Sequence, residues 1–200
     1  EGYLKKAYQM CKEKNVLFIA DEVQTGLART GKMLACDYEN VQPDILILGK
    51  ALSGGTMPVS AVLANDEVML TLKPGQHGST YGGNPLACAV ATVSLQILKD
   101  EKLAENAFDL GNIFRERMEK LIQKTNVITK VRGKGLLNAI VVNDSEEGNL
   151  AWNLCEGFKE KGLLAKPTHG NIIRFAPPLV INEEQLDECC HIIETTILNF

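Results

Sequence analysis

At 200 residues, with 45% hydrophobic and 23% charged side chains, the chain has the balance of a globular protein of one large or two small domains. A formal charge of −4 gives no basic field for nucleic acid, and no apolar run approaches the ~20 residues that span a bilayer. Six cysteines without a C-x-x-C pair and three isolated histidines supply neither a disulfide framework nor metal-ligand spacing, so small buried thiols in a reducing compartment are expected.

The first half alternates helical and extended patterns. Residues 2–14 predict a helix with Leu4, Ala7, Tyr8 and Cys11 on one face. The chain opens on Glu1, without Met or a leader, directly into that helix, so a carboxyl-terminal portion of a longer protein is expected. Two aliphatic runs, 16–20 and 45–48, read as parallel strands buried on both faces. A third strand is expected at 58–63 and a short helix at 66–72. The glycine-rich stretch 75–83 cannot hold regular structure and reads as a functional loop. Asn84-Pro85 then starts a helix, Asn as cap and Pro in the first turn, and its small apolar residues predict burial.

Charge rises at about Lys99. A long amphipathic helix follows at about 103–124, striped by Leu103, Ala107, Leu110, Phe114, Met118 and Leu121. Beyond it come strand 135–142, helix 150–161, strand 172–175 and a last helix. Asn182 and Gln185 resemble a capping box for that helix, whose stripe is Leu186, Cys190, Ile193 and Ile197. The fold class is α/β, with residues 1–102 in one domain and 103–200 in a smaller α+β domain.

The chemistry concentrates where the aliphatic runs end. Asp21 follows the first and Gly49-Lys50 the second. Ligand-binding groups collect at the carboxyl ends of parallel strands, so a carboxylate and an amine would share one rim. Pyridoxal phosphate needs that pair: a lysine for the Schiff base and an acid to keep the pyridine nitrogen protonated. Taken singly, Asp21 reads as a turn or cap residue and Lys50 as a solvent-facing lysine. Ala51-Leu-Ser-Gly-Gly55 after Lys50 is a loop without bulk where a planar cofactor could approach. A competing pattern, Gly26-Leu-Ala-Arg-Thr-Gly31-Lys32, fits a phosphate-binding P-loop except that Met33 replaces the metal-binding hydroxyl. Arg174, between apolar residues of a strand, is either an arginine on an exposed face or a fork aimed at a carboxylate. Ser79 and Thr80, among glycines, could grip a phosphate.

Several separated motifs, in order, resemble one family. Phe18-Ile-Ala-Asp-Glu-Val-Gln-Thr-Gly26, Arg29-Thr-Gly31, Pro43-Asp44 and Leu48-Gly-Lys-Ala-Leu-Ser-Gly-Gly55 are similar to the signature of the class III aminotransferases, pyridoxal phosphate enzymes of fold type I. His77-Gly-Ser-Thr-Tyr-Gly-Gly-Asn-Pro-Leu86, Val131-Arg-Gly-Lys-Gly-Leu-Leu-Asn138 and the stretch 164–178 extend the likeness, which is greatest to members acting on ornithine. The resemblance implies that residues 1–102 are the carboxyl-side part of the large mixed-sheet cofactor domain. It implies that Lys50 holds pyridoxal 5′-phosphate and moves the proton, Asp21 pairs with the ring nitrogen, and Gln24 bonds the ring's phenolic oxygen. Thr80, with Ser79 beside it, would reach the phosphate of a neighbouring subunit, which makes the site a property of a homodimer or higher oligomer. Arg174 would bind the α-carboxylate of glutamate or 2-oxoglutarate. Ornithine and 2-oxoglutarate are the implied substrates, and the mitochondrial matrix or the cytoplasm the implied compartment. Acetylornithine or 4-aminobutyrate as donor, or an inactive dimerising module, are the alternative readings. The remaining cofactor contacts of such enzymes lie before the motifs found here, so these residues alone are expected to show little or no transaminase activity.

Overall fold

Two separate sheets organise the chain in the computed structural model, which describes residues 2–200. They belong to two units, one ending at Ala104 and the other comprising Glu105–Phe200.

The first unit holds α1 (Tyr3–Glu13), β1 (Ile19–Asp21), β2 (Ile45–Leu48), β3 (Ala61–Ala64), α2 (Asp66–Met69) and α3 (Pro85–Asp100). Its mixed sheet runs β1-β2-β3, with β1 parallel and β3 antiparallel to β2. The first strand begins later than residue 16 because the chain first closes α1. Asn15 takes a left-handed φ of 54°, and the N–H groups of Asn15 and Val16 donate to the carbonyls of Lys12 and Cys11 at 3.1 and 2.8 Å. Helices commonly end this way, and Asn tolerates that backbone. Asp44 then fixes the strand entries: Oδ2 accepts the Phe18 N–H at 2.8 Å, and Oδ1 accepts from Lys12 Nζ. The Lys12 hydrogen bond is the main reason the Asp44 carboxyl lies below its usual range. α3 starts as expected, with Asn84 Oδ1 accepting the Ala87 N–H at 2.9 Å and Pro85 in the first turn.

Burial on both strand faces does not hold. In β1, Ala20 is buried while Ile19 and Asp21 are exposed. In α3, only Ala87 and Ala91 are buried; Leu86, Val93 and Ile97 face outward. The helix packs its small-residue side on the core around Leu48 and Leu52, and its other side has no partner among the described residues.

The second unit contains most of α4 (Leu103–Ile122), then β4 (Ile128–Lys134), β5 (Leu137–Val142), α5 (Leu150–Glu160), β6 (Lys166–Thr168), β7 (Ile172–Phe175) and α6 (Glu183–Leu198). Its sheet is antiparallel throughout, in the order β4-β5-β7-β6. Ala107, Leu110, Phe114, Met118 and Leu121 of α4 enter one core with Leu186, Cys190, Ile193 and Ile197 of α6, all buried. Asn182 and Gln185 form the capping box, at 2.8 and 3.1 Å. Two strands escape the sequence pattern. β4 carries Lys130, Arg132 and Lys134 on an edge, and β6 is three residues with Pro167 at its centre. Charge and proline are how sheets blunt their edges, and both erase the apolar alternation that reveals a strand. The strand expected at 135–142 begins at Leu137 because Gly135 and Leu136 make the hairpin turn.

All six thiols are free; Cys36, Cys155 and Cys190 are buried, Cys11 and Cys189 half-buried, and Cys88 exposed, so burial holds for half of them only. No helix among the described residues is long and apolar enough to cross a membrane.

Candidate active site on the first sheet

Parallel pairing sets the geometry. Ile19, Ala20 and Asp21 lie opposite Ile45, Leu46 and Ile47, so β1 and β2 point their carboxyl ends the same way. The Glu22 N–H donates to Ile47 O at 3.0 Å and carries the pairing one residue past Asp21. Gly49 then runs extended, at φ −174°, against the turn that follows β1: a Cβ placed on it would stand 3.6 Å from Val23 Cγ1. Asp21, Gln24 and Lys50, three of the expected site residues, are thus carried by one turn and the strand end beside it, and all three are exposed.

Lys50 has a left-handed φ of 45°. A non-glycine residue there costs about 1–2 kcal/mol and is found where surroundings over-determine the backbone, functional sites among them. The surroundings here are specific. Lys50–Ser53 form one 3-10 turn with Leu52 and Ser53 buried. Ser53 Oγ donates to Met57 O and accepts the Met57 N–H at 3.2 Å, which ties the turn to the chain leading into β3. Gly54, at φ 62°, ends the turn, and a Cβ on it would come 3.0 Å from Ser94 Oγ of α3.

Asp21 is held as well as displayed. Its Oδ1 accepts the Val23 N–H at 3.1 Å, which leaves Oδ2 to meet a second donor. Glu22 points the other way, is 2% exposed, and accepts from Thr25 Oγ1 and from the Cys36 N–H, the latter at 2.8 Å. Burial, with the Glu22 carboxylate next, pushes the Cys36 thiol up to about 12. Sequence reading passed over Glu22. The signal was the in–out alternation Ala20, Asp21, Glu22 at the strand's end.

Lys50 also lines a cleft of about 460 Å³ with Pro58, Val59, Ser60 and the segment Tyr81, Gly82, Gly83 and Asn84. That segment belongs to the glycine-rich loop, which is irregular as expected. Ser79 Oγ accepts the Gly82 N–H at 2.8 Å and so shapes the loop; Thr80 beside it is exposed, and neither lines the cleft. Arg174 lies in the second unit, in β7, opposite Ala139 and Lys166, on the exposed face between buried Ile173 and Phe175.

The P-loop reading fails on topology. Such a loop feeds a helix whose first N–H groups hold phosphate. Here Gly31 leads only to the 3-10 turn Ala35–Tyr38, and Lys32 Nζ donates to Asp37 O at 3.2 Å and lies 4.9 Å from the Tyr38 ring centroid.

A mixed α/β unit with an amine and a carboxylate at adjacent parallel strand ends accords with what the comparisons find: residues 1–197 match the family Aminotransferase class-III, and the chain belongs to it. The mitochondrial ornithine aminotransferase of Drosophila melanogaster is 65% identical over 199 residues, and that of Rattus norvegicus 58%; each alignment covers 100% of this chain and 45% of the relative. Among solved structures, the acetylornithine aminotransferase of Elizabethkingia anophelis is 70% identical with a TM-score of 0.98, over 100% of this chain and 52% of that one. The ornithine aminotransferase of Toxoplasma gondii, described with partial occupancy of PLP at its active site, is 51% identical with a TM-score of 0.95, over 99% and 46%. The chain therefore spans about half the length of the relatives it matches.

Proposed function

We propose that this chain contributes Lys50, Asp21 and Gln24 to a pyridoxal phosphate-dependent ornithine δ-aminotransferase. The observation that carries the reading is the shared end of β1 and β2, which brings a carboxylate, an amide and an amine onto one rim. That donor set fits the cofactor: an amine for its aldehyde, an acid for its ring nitrogen, an amide for its ring oxygen. When bound, the cofactor supplies an electron sink for the carbanion formed at the amine-bearing carbon.

The chain's own residues do the rest. Lys50 Nζ would hold the cofactor through its aldehyde and would move the proton at the amine-bearing carbon, so one residue would serve as nucleophile and as acid–base. Asp21 Oδ2 holds the proton at the ring nitrogen. Gln24 orients the ring. Thr80, with Ser79 shaping its loop, grips the phosphate of a partner subunit in a homodimer. Arg174 takes the α-carboxylate of glutamate or 2-oxoglutarate through its planar fork. Ornithine and 2-oxoglutarate are converted to glutamate 5-semialdehyde and glutamate. The mitochondrial matrix is the proposed compartment, in keeping with the names of the Drosophila and rat relatives.

Acetylornithine as donor is the second reading, favoured by the name of the 70%-identical structure. Donor rates of the full-length protein carrying this sequence separate the two. Ornithine turnover well above acetylornithine and 4-aminobutyrate is expected; a preference for acetylornithine would replace the donor and keep the chemistry. The 200 residues alone are expected to show little or no transamination, and robust turnover by them would refute that.

A further inference from the structure

Among the described residues of the first unit, Glu22 is the one buried carboxylate, and it stands beside the acid on which the proposed chemistry depends. A buried ionisable group is costly unless its oxygens are satisfied. Here each oxygen has a donor. Thr25 Oγ1 reaches Oε2 from three residues ahead, and the Cys36 N–H reaches Oε1 at 2.8 Å from fourteen residues ahead. The grip continues outward: Thr30 Oγ1 donates to Thr25 O at 3.0 Å, and the Tyr38 hydroxyl donates to Thr30 O at 2.7 Å. The turn closes directly over Glu22. Its carbonyl accepts the Gly26 N–H at 3.0 Å, and a Cβ on Gly26 would come 2.9 Å from that oxygen.

This network brackets the two cofactor-facing residues. Asp21 precedes Glu22 and Gln24 follows it by two, and both point outward while Glu22 points in. A one-residue rotation of the turn would exchange those directions. We propose that Glu22 is a positioning residue of the site: its buried carboxylate, gripped by Thr25 and Cys36, locks the turn that aims Asp21 at the ring nitrogen and Gln24 at the ring oxygen. The inference rests on the cofactor reading given above.

The test uses the full-length protein carrying this sequence, with two readouts. One is the dissociation constant of pyridoxal 5′-phosphate for the apoprotein. The other is the pH midpoint of the bound cofactor's visible band, which reports how Asp21 meets the ring. Glu22→Leu replaces the carboxylate with an apolar side chain and removes both grips. It is expected to weaken cofactor binding by at least about tenfold, as loss of the hydrogen-bond partner of a metal ligand does for metal affinity, and to move the midpoint. Glu22→Gln keeps an acceptor for Cys36 and a partner for Thr25, and is expected to restore both to within about threefold of wild type. If Glu22→Leu does not fold, Thr25→Val against Thr25→Ser is judged on the same readouts. Wild-type binding with unchanged affinity and midpoint in the folded loss-of-grip variant overturns the role of Glu22 and leaves the cofactor reading standing. Absence of any cofactor band in wild type overturns both.

Discussion

Asp21 lies opposite Ile47 in parallel register, and Lys50 comes three residues after Ile47 on the same path. The two strands therefore end together, and a fixed covalent distance separates each functional group from a paired residue. Backbone hydrogen bonds set this pairing, so it does not depend on the side chains of Asp21 and Lys50 themselves.

Lys50→Ala should consequently leave the fold intact and remove the chemistry. In the full-length protein, added pyridoxal phosphate should give no lysine-bound visible band, and transamination should fall by at least about 10³-fold. Lys50→Arg keeps a cation but offers no amine for the Schiff base, and should behave the same. A residual band in either variant would assign the anchoring amine elsewhere.

Asp21→Asn separates charge from shape. The amide oxygen still accepts the Val23 N–H, now at 3.1 Å from Oδ1, so the turn keeps its path. The negative charge proposed to hold the ring proton is gone. The expected result is a fall in kcat of about 10²-fold or more with little change in thermal midpoint. Equal losses of stability and activity would make Asp21 a turn residue only.

The parts legible in the sequence are those where periodicity and end signals agree. The stripes of α4 and α6, the Asn84-Pro85 start and the Asn182–Gln185 box were all readable because each is a local pattern written in consecutive residues. β4 and β6 were not, since edge strands with lysines and a proline lose alternation. The site divides in the same way. Asp21 and Lys50 stand at the ends of aliphatic runs, a pattern of consecutive residues that marks them as candidates. Glu22 accepts from Cys36, fourteen residues away, and no local pattern encodes that contact.

In the second unit, α4 meets the β4–β5 hairpin through two glycines. A Cβ on Gly111 would lie 1.9 Å from Gly135 O. That carbonyl is already committed, accepting from Arg115 Nη1 at 3.1 Å and Asn138 Nδ2 at 2.9 Å. The turn cannot retreat without breaking those bonds. Gly111→Ala should therefore destabilise by about 3 kcal/mol or more, despite alanine's better helix propensity. Urea unfolding checks it, and a stabilised variant would show that the hairpin yields.

Alkaline pH should weaken the second unit through its thiols. Burial pushes Cys155 up to about 11 and Cys190 up to about 12, in the latter case against the opposing pull of Arg117. Both values are raised above those of the unfolded chain, which ionises its thiols near pH 9. Below that pH the two states bind equal numbers of protons and the stabilisation is complete. Above it, the unfolded chain releases protons that the native state keeps, so stability falls until the native thiol itself ionises. The slope is at most about 1.4 kcal/mol per pH unit for each thiol. Cys190→Ala removes one such group, so its unfolding free energy should decline less steeply than wild type between about pH 9 and 11. Identical slopes in the two proteins would mean that Cys190 ionises in the folded state as readily as in the unfolded one.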